Sequence, residues 1–241
     1  MESWIFTGVS DKNDFLMYVC QLLATEGCKL LLVDGTDRQI YRYSVGQTGN
    51  VLPITEFCGF DVACGFFSAA SLKQYLEEHD TSVEQYDLVL YDLEKMTFCD
   101  EEEWKMAKGV YWTSSLDRFS IERSSEWFQL LFSKYPGLHG MKLGLIINRY
   151  VDCQIDENYL QSLMENLPLQ WNEQAIKFPW DEKNYSVQLE NDHNRSLKVK
   201  SLSKGFRKSI RLLAQQLSGE KDVKRRSILR SSIRGRAWAN I

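Results

Sequence analysis

Continuous apolar runs that stop at a polar residue recur along the chain: Trp4–Gly8, Lys29–Gly35, Tyr86–Asp92, Gly109–Thr113 and Leu143–Asn148, with a weaker one at Gln174–Phe178. Unbroken rather than alternating apolarity marks strands covered on both faces, as in a parallel sheet between helices. Between the runs, apolar residues return at helical spacing over Asp14–Thr25, Ala70–Glu78, Ser120–Phe132, Asp156–Leu167 and Leu197–Leu217. Asp11, Asn13 or Asp14 is placed to cap the first helix, and Gly27 to end it. Arg38–Val45 and Val51–Cys58 read as two short strands of an edge hairpin. Strand alternating with helix predicts a doubly wound, mostly parallel α/β sheet. Residues 1–218 form one such domain in this reading, and 219–241 a separate tail.

Composition narrows the classes. The chain has 241 residues, 44% hydrophobic and 26% charged, which excludes disorder of the whole chain. No apolar run is long enough to cross a bilayer as a helix. The first residues lack the basic and long apolar regions of an export signal, so a cytoplasmic protein is expected. Six scattered cysteines read as reduced thiols. His79, His139 and His193 stand apart from other ligand-type residues, and Asp100–Glu103 reads as an acidic helix start. Trp104, Trp112, Trp127 and Phe128 read as core or subunit interface.

Charge changes the picture more than composition does. The net charge is −4, but residues 220–241 hold seven basic and two acidic side chains, +5. The other 219 residues hold 22 basic and 31 acidic side chains, −9. As a helix, the tail would gather Leu229, Ile233 and Trp238 on one face, with Arg226, Arg230 and Arg234 alongside. That is the make-up of a basic amphipathic segment that docks an anionic membrane surface or an acidic partner. A solvated tail and nonspecific nucleic-acid contact are the other readings, the last disfavoured by the acidic body.

In open α/β sheets ligands bind beyond the carboxyl ends of the strands. The polar residues to weigh are therefore Gly8–Asp14, Asp34, Asp92, Thr113–Asp117 and Asn148. A strand, a loop and a helix N-terminus, as over Thr7–Asp14, also form the frame that cradles phosphate.

These landmarks resemble the ParA/MinD family of P-loop ATPases, whose deviant Walker A motif reads KGGxGKT. Gly27–Asp34 resembles the strand "GkkVLLID", Tyr86–Asp92 the Walker B strand "YDyviiD", Leu145–Arg149 the segment "lvlNr", and Phe178–Asp181 the late "iPyD" motif. Val110–Leu131 resembles the strand and long helix after Walker B. The nearest branch is that of the CpaE/TadZ-like proteins of Flp (Tad) pilus systems. The resemblance implies ATP and Mg²⁺ as ligands. Gly8, Ser10, Lys12, Asn13, Asp14, Asn148 and Pro179 would form the nucleotide site, Asn148 would read adenine, and Asp34 and Asp92 would form the Mg²⁺ shell. It also implies a homodimer, protein partners in a membrane-associated assembly, and a tail that reaches the inner face of the membrane.

Departures from the pattern are concentrated in the phosphate loop. Counting back from Asp34 without gaps puts Gly8 on the signature lysine, Asn13 on the phosphate lysine and Asp14 on the Mg²⁺-binding threonine. Shifting by one residue makes Lys12 the phosphate lysine, yet the loop glycines are still missing. Asp11 and Asp14 bring two carboxylates to where polyphosphate would lie, each repelling a phosphate charge by roughly 3–4 kcal/mol at an effective dielectric near 20. Thr36 replaces the aspartate that positions the attacking water. The expected molecule is a degenerate, non-hydrolysing fold reduced to a scaffold or localisation role at a machine such as a pilus assembly apparatus. The alternative is an active switch ATPase using Lys12, Asp34 and Asp92 in an unusual loop. Asp34 and Asp92 as strand-end caps and Asn148 as a turn residue are the simpler roles for the same side chains.

Overall fold

The computed structural model describes residues 1–46, 52–172 and 174–219. The strands are β1 (Glu2–Thr7), β2 (Leu30–Gly35), β3 (Ile54–Phe57), β4 (Phe60–Ala63), β5 (Leu88–Leu93), β6 (Gly109–Ser114), β7 (Met141–Tyr150), β8 (Leu169–Trp171) and β9 (Ile176–Pro179). The helices are α1 (Asn13–Thr25), α2 (Tyr41–Ser44), α3 (Ala69–Glu78), α4 (Glu101–Met106), α5 (Arg118–Lys134), α6 (Glu157–Ser162), α7 (Glu182–His193) and α8 (Lys204–Ser218). The strands lie in the order β3-β4-β2-β5-β1-β6-β7-β8, with β9 also paired to β7. Every pairing is parallel except β3 with β4. The expected mostly parallel sheet flanked by helices is what forms.

Both faces are covered, which is why β2 and β5 are buried at every residue. One core packs Phe15, Leu16 and Val19 of α1 and Ile210, Leu213 and Leu217 of α8 against Phe6, Leu32 and Leu90. The opposite core packs Leu72 of α3, Trp104 of α4 and Phe128 of α5 against Ile5, Val33 and Trp112. Alternate residues of each strand thus feed different cores. Trp104, Trp112 and Phe128 are core residues, and Trp127 packs against them while its Nε1 donates to Glu94 O (2.8 Å). The acidic run starts α4 as expected: Asp100 caps it and exchanges hydrogen bonds with Glu103 in a capping box.

Five local expectations are corrected. The stretch 38–45 is not a strand but leads into the single turn α2, which buries Tyr41. The hairpin lies wholly within 54–63, turning at Cys58 and Gly59, both with positive φ (51° and 93°). Paired positive φ is the turn geometry whose twist suits a two-residue hairpin. The helix expected over 197–217 begins only at Lys204, behind Ser203, whose hydroxyl caps it. The helix expected over 156–167 ends at Ser162, and α7 and β8 went unpredicted. The first helix also starts without a side-chain cap: its N-cap residue is Lys12. Val51 and the tail residues Arg226, Leu229, Arg230, Ile233, Arg234 and Trp238 lie outside the described residues. Among the described residues no helix is long and apolar enough to cross a membrane.

Candidate functional site

The carboxyl ends of β1, β2, β5, β6 and β7 meet around the loop from Gly8 to Lys12. β2 and β5 are in register with Asp34 opposite Asp92, so the two carboxylates come side by side at the end of the sheet. Tyr41 joins them. Its backbone N–H donates to Asp34 Oδ2 (3.2 Å) and its hydroxyl to Asp92 Oδ2 (2.7 Å). The other Asp34 oxygen accepts from the Thr36 amide (3.0 Å) and hydroxyl (2.6 Å).

Gly8 bears on the register of the loop. Its φ is +117°, and a Cβ there would lie 2.2 Å from the carbonyl oxygen of Thr113. A side chain at this place would require β6 to move, which favours the register shifted by one residue over the ungapped count. In the shifted register Gly8 stands on the first glycine, Thr7 on the signature lysine and Lys12 on the phosphate lysine. Lys12 is the side chain inside the loop. Its ammonium donates to the carbonyls of Gly8 (2.7 Å) and Ser10 (3.2 Å) and lies 3.0 Å from Asp92 Oδ1. Asn13 instead lines a separate cleft beside Tyr18 and Leu189.

The rest of the loop is tied on every side. Ser10 Oγ accepts from the Ser115 amide (2.9 Å) and shares hydroxyl contacts with Ser115 and Ser120. The Asn148 amide donates to Asp11 O (2.8 Å), and its oxygen accepts from the Arg149 N–H (3.0 Å). Asp117, at the start of α5, caps that helix through the Ser120 amide (2.9 Å). The two carboxylates that the sequence places near the polyphosphate position are both ion-paired. Asp11 is paired with Arg38, with Arg149 at 3.7 Å, and Asp14 is paired with Arg149 (3.0 Å). Each acid is answered by an arginine from a distant segment.

Burial sets the titration of these acids. It pushes Asp92 up to about 6, against the opposing pull of the Lys12 charge and the Tyr41 hydrogen bond. Asp34 is raised by burial against the hydrogen bonds from Thr36, and Asp14 by burial against Arg149.

Two concavities flank the loop. One, of about 550 Å³, is walled by Ser10, Asp11, Arg38, Asp117 and Arg149. The other, of about 220 Å³, brings Asn148 together with Pro179, Trp180 and Tyr185. Gly8, Ser10, Lys12, Asp34, Asp92 and Asn148 therefore converge, with Asp14 and Pro179 at the border. Among the described residues no cluster of three or more metal-ligating side chains occurs, and the three histidines stay apart from the site. Sequence reading missed Tyr41, Arg38 and Ser120, whereas Ser115 falls within the strand end 113–117 that it weighed. Arg149 was visible only as the last letter of the "lvlNr" segment.

No family model matches the chain, and no curated protein matches it by sequence. Solved structures do match in fold. The MinC:MinD cell division complex of Aquifex aeolicus superposes with a TM-score of 0.63 at 14% identity, over 91% of this chain and 96% of that one. A ParA family ATPase from Chlorobium tepidum TLS gives 0.59 at 14% identity, over 88% and 98%. A plasmid partition protein from Borrelia burgdorferi B31, bound to AMPPNP, gives 0.57 at 14% identity, over 92% and 100%. The fold is that of the ParA/MinD P-loop ATPases. At these identities the likeness extends to the fold alone.

Proposed function

We propose that the chain is a ParA/MinD-like scaffold that does not hydrolyse ATP and that positions or docks a membrane-associated machine, such as a pilus assembly apparatus, from the cytoplasmic side. The observation that carries this reading is the self-filled loop. A phosphate cradle presents backbone N–H groups and a free lysine to an anion. Here two loop carbonyls face inward onto the ammonium of Lys12, and that ammonium is already paired with Asp92. Val9 and Asp11 carry side chains where close backbone approach needs glycine. Asp34 and Asp92, which would face Mg²⁺, have their oxygens engaged by Thr36, Tyr41 and Lys12. The residues present do not fit Mg²⁺–ATP. The basic segment 219–241 supplies the docking half of the proposal, and a homodimer independent of nucleotide is the assembly it suits.

Isothermal titration with Mg²⁺–ATP tests the first half. No heat of binding is expected, and low-micromolar affinity with turnover would overturn the reading. One observation favours the alternative of an active switch: Lys12 lies within reach of Asp92 inside the loop. If that alternative holds, phosphate release is measurable in the wild type and lost in both Lys12→Ala and Asp92→Ala.

A further inference from the structure

A cleft of about 160 Å³ lies between α1 and α7, closed by Phe57 of β3 and by Leu197 beyond α7. It is distinct from the concavity that holds Asn148 and Pro179, although Asp14, Tyr185 and Gln188 border both. Met17, Phe57, Leu189 and Leu197 give it an apolar wall. Among the described residues no lysine or arginine lines it, whereas Asp14 and Asp192 both do. Asp14 is already paired with Arg149 (3.0 Å). Asp192 makes no ion pair among the described residues, so the cleft keeps one carboxylate charge uncompensated.

The buried polar groups beside these acids point to an occupant. Asn191 is 2% exposed, and its Nδ2 donates to the Tyr18 hydroxyl (2.9 Å). Its Oδ1 receives no hydrogen bond among the described residues, which leaves an almost fully buried acceptor on the cleft wall. Ser196, on the same wall, has a buried hydroxyl without a partner among the described residues. Buried polar atoms cost free energy unless something satisfies them. Burial raises Tyr18 against the Asn191 hydrogen bond, and the charges of Asp14 and Asp192 add to the rise, so both acids act on this hydroxyl. Asn191 and Asp192 also sit in the last turn of α7, and the carbonyl end of a helix favours a cation.

We propose that this cleft binds a small primary amine carried on an apolar body about the size of a benzene ring. An ammonium brings three N–H donors and no acceptor, which suits the carboxylate of Asp192 and the Oδ1 of Asn191. One unpaired carboxylate calls for one positive charge. A cavity of about 150 Å³ takes up benzene, so a ring on a short aminoalkyl arm fills the space against Met17, Phe57, Leu189 and Leu197. The same two carboxylates repel an acid or a phosphate ester. Such a ligand needs neither ATP nor a docking partner and is independent of the function proposed above.

Titration calorimetry of the full chain at neutral pH compares phenethylamine with 2-phenylethanol and phenylacetate, which share the ring and differ in charge. Phenethylamine is expected to bind, and the alcohol and the acid to bind at least about ten-fold more weakly. Asp192 is exposed, so Asp192→Asn leaves the fold intact; it should weaken the amine about five-fold, the contribution of one partly solvated ion pair. Asp192→Glu should retain binding. Leu189 is 45% exposed, and Leu189→Lys sets a competing ammonium at the rim and should abolish binding. Equal affinity for the alcohol would overturn the recognition of charge. An Asp192→Asn variant that binds the amine as well as the wild type does would move the amine to another place. No heat from phenethylamine up to millimolar concentration would remove the site.

Discussion

Lys12 and Asp92 form an ion pair at 3.0 Å with both side chains 1% exposed. Charges so deeply placed are stable only together, because removing one leaves the other without water or partner. Lys12→Met is therefore expected to lower unfolding stability by about 3 kcal/mol. Adding Asp92→Asn should restore part of that loss. Urea denaturation of the wild type, both single variants and the double variant gives the coupling; strictly additive losses would show that the pair is not coupled.

The acid itself predicts a pH dependence. Burial raises Asp92 from 3.8 to about 6, so between these values the folded state holds a proton that the unfolded chain has lost. Stability from this group is greatest below pH 3.8 and falls as pH rises to about 6, by an amount on the order of 3 kcal/mol. Asp34 and Asp14, also raised, add in the same direction. Asp92→Asn should flatten the measured profile in this window, and an unchanged slope would refute the assignment.

Tyr41 donates hydrogen bonds to both strand-end acids. Tyr41→Phe keeps the ring and the backbone bond to Asp34 but removes the donor to Asp92. A hydrogen bond to a buried charged group contributes about 1.5–3 kcal/mol, and a loss of that size is expected by thermal or chemical denaturation. A variant as stable as the wild type would mean that the hydroxyl is not satisfied by Asp92.

The resemblance between fold and sequence was legible where burial dictates composition. β2, β5, β6 and β7 are enclosed between two layers, so nearly every residue must be apolar and the run announces itself. Helix α7 was silent for the opposite reason. It packs through amides: Asn184 bonds to Ser203, and Asn191 donates to the Tyr18 hydroxyl (2.9 Å), so no apolar period marks its inner face. The acids of the site were legible as strand ends. Their partners were not, because Arg38, Tyr41 and Arg149 reach them from segments whose local pattern carries no sign of the contact.

A gain of function follows from the loop as built. Asp11→Gly with Asp14→Ala removes both carboxylates, restores a glycine in the shifted register, frees Arg149 and leaves Arg38 with Glu94 as its acid. Mg²⁺–ATP affinity in the double variant should rise at least about ten-fold over the wild type, a change of about 1.4 kcal/mol, well within the repulsion that two carboxylates exert on phosphate. Titration calorimetry checks it; no gain would place the obstacle in the backbone rather than in the charges.

Gly8 remains, pressed against Thr113 whether or not any phosphate ever approaches. Its cause belongs to the β1–β6 junction. Any Cβ at this position meets the Thr113 carbonyl, so the sheet itself requires the glycine, independently of any ligand.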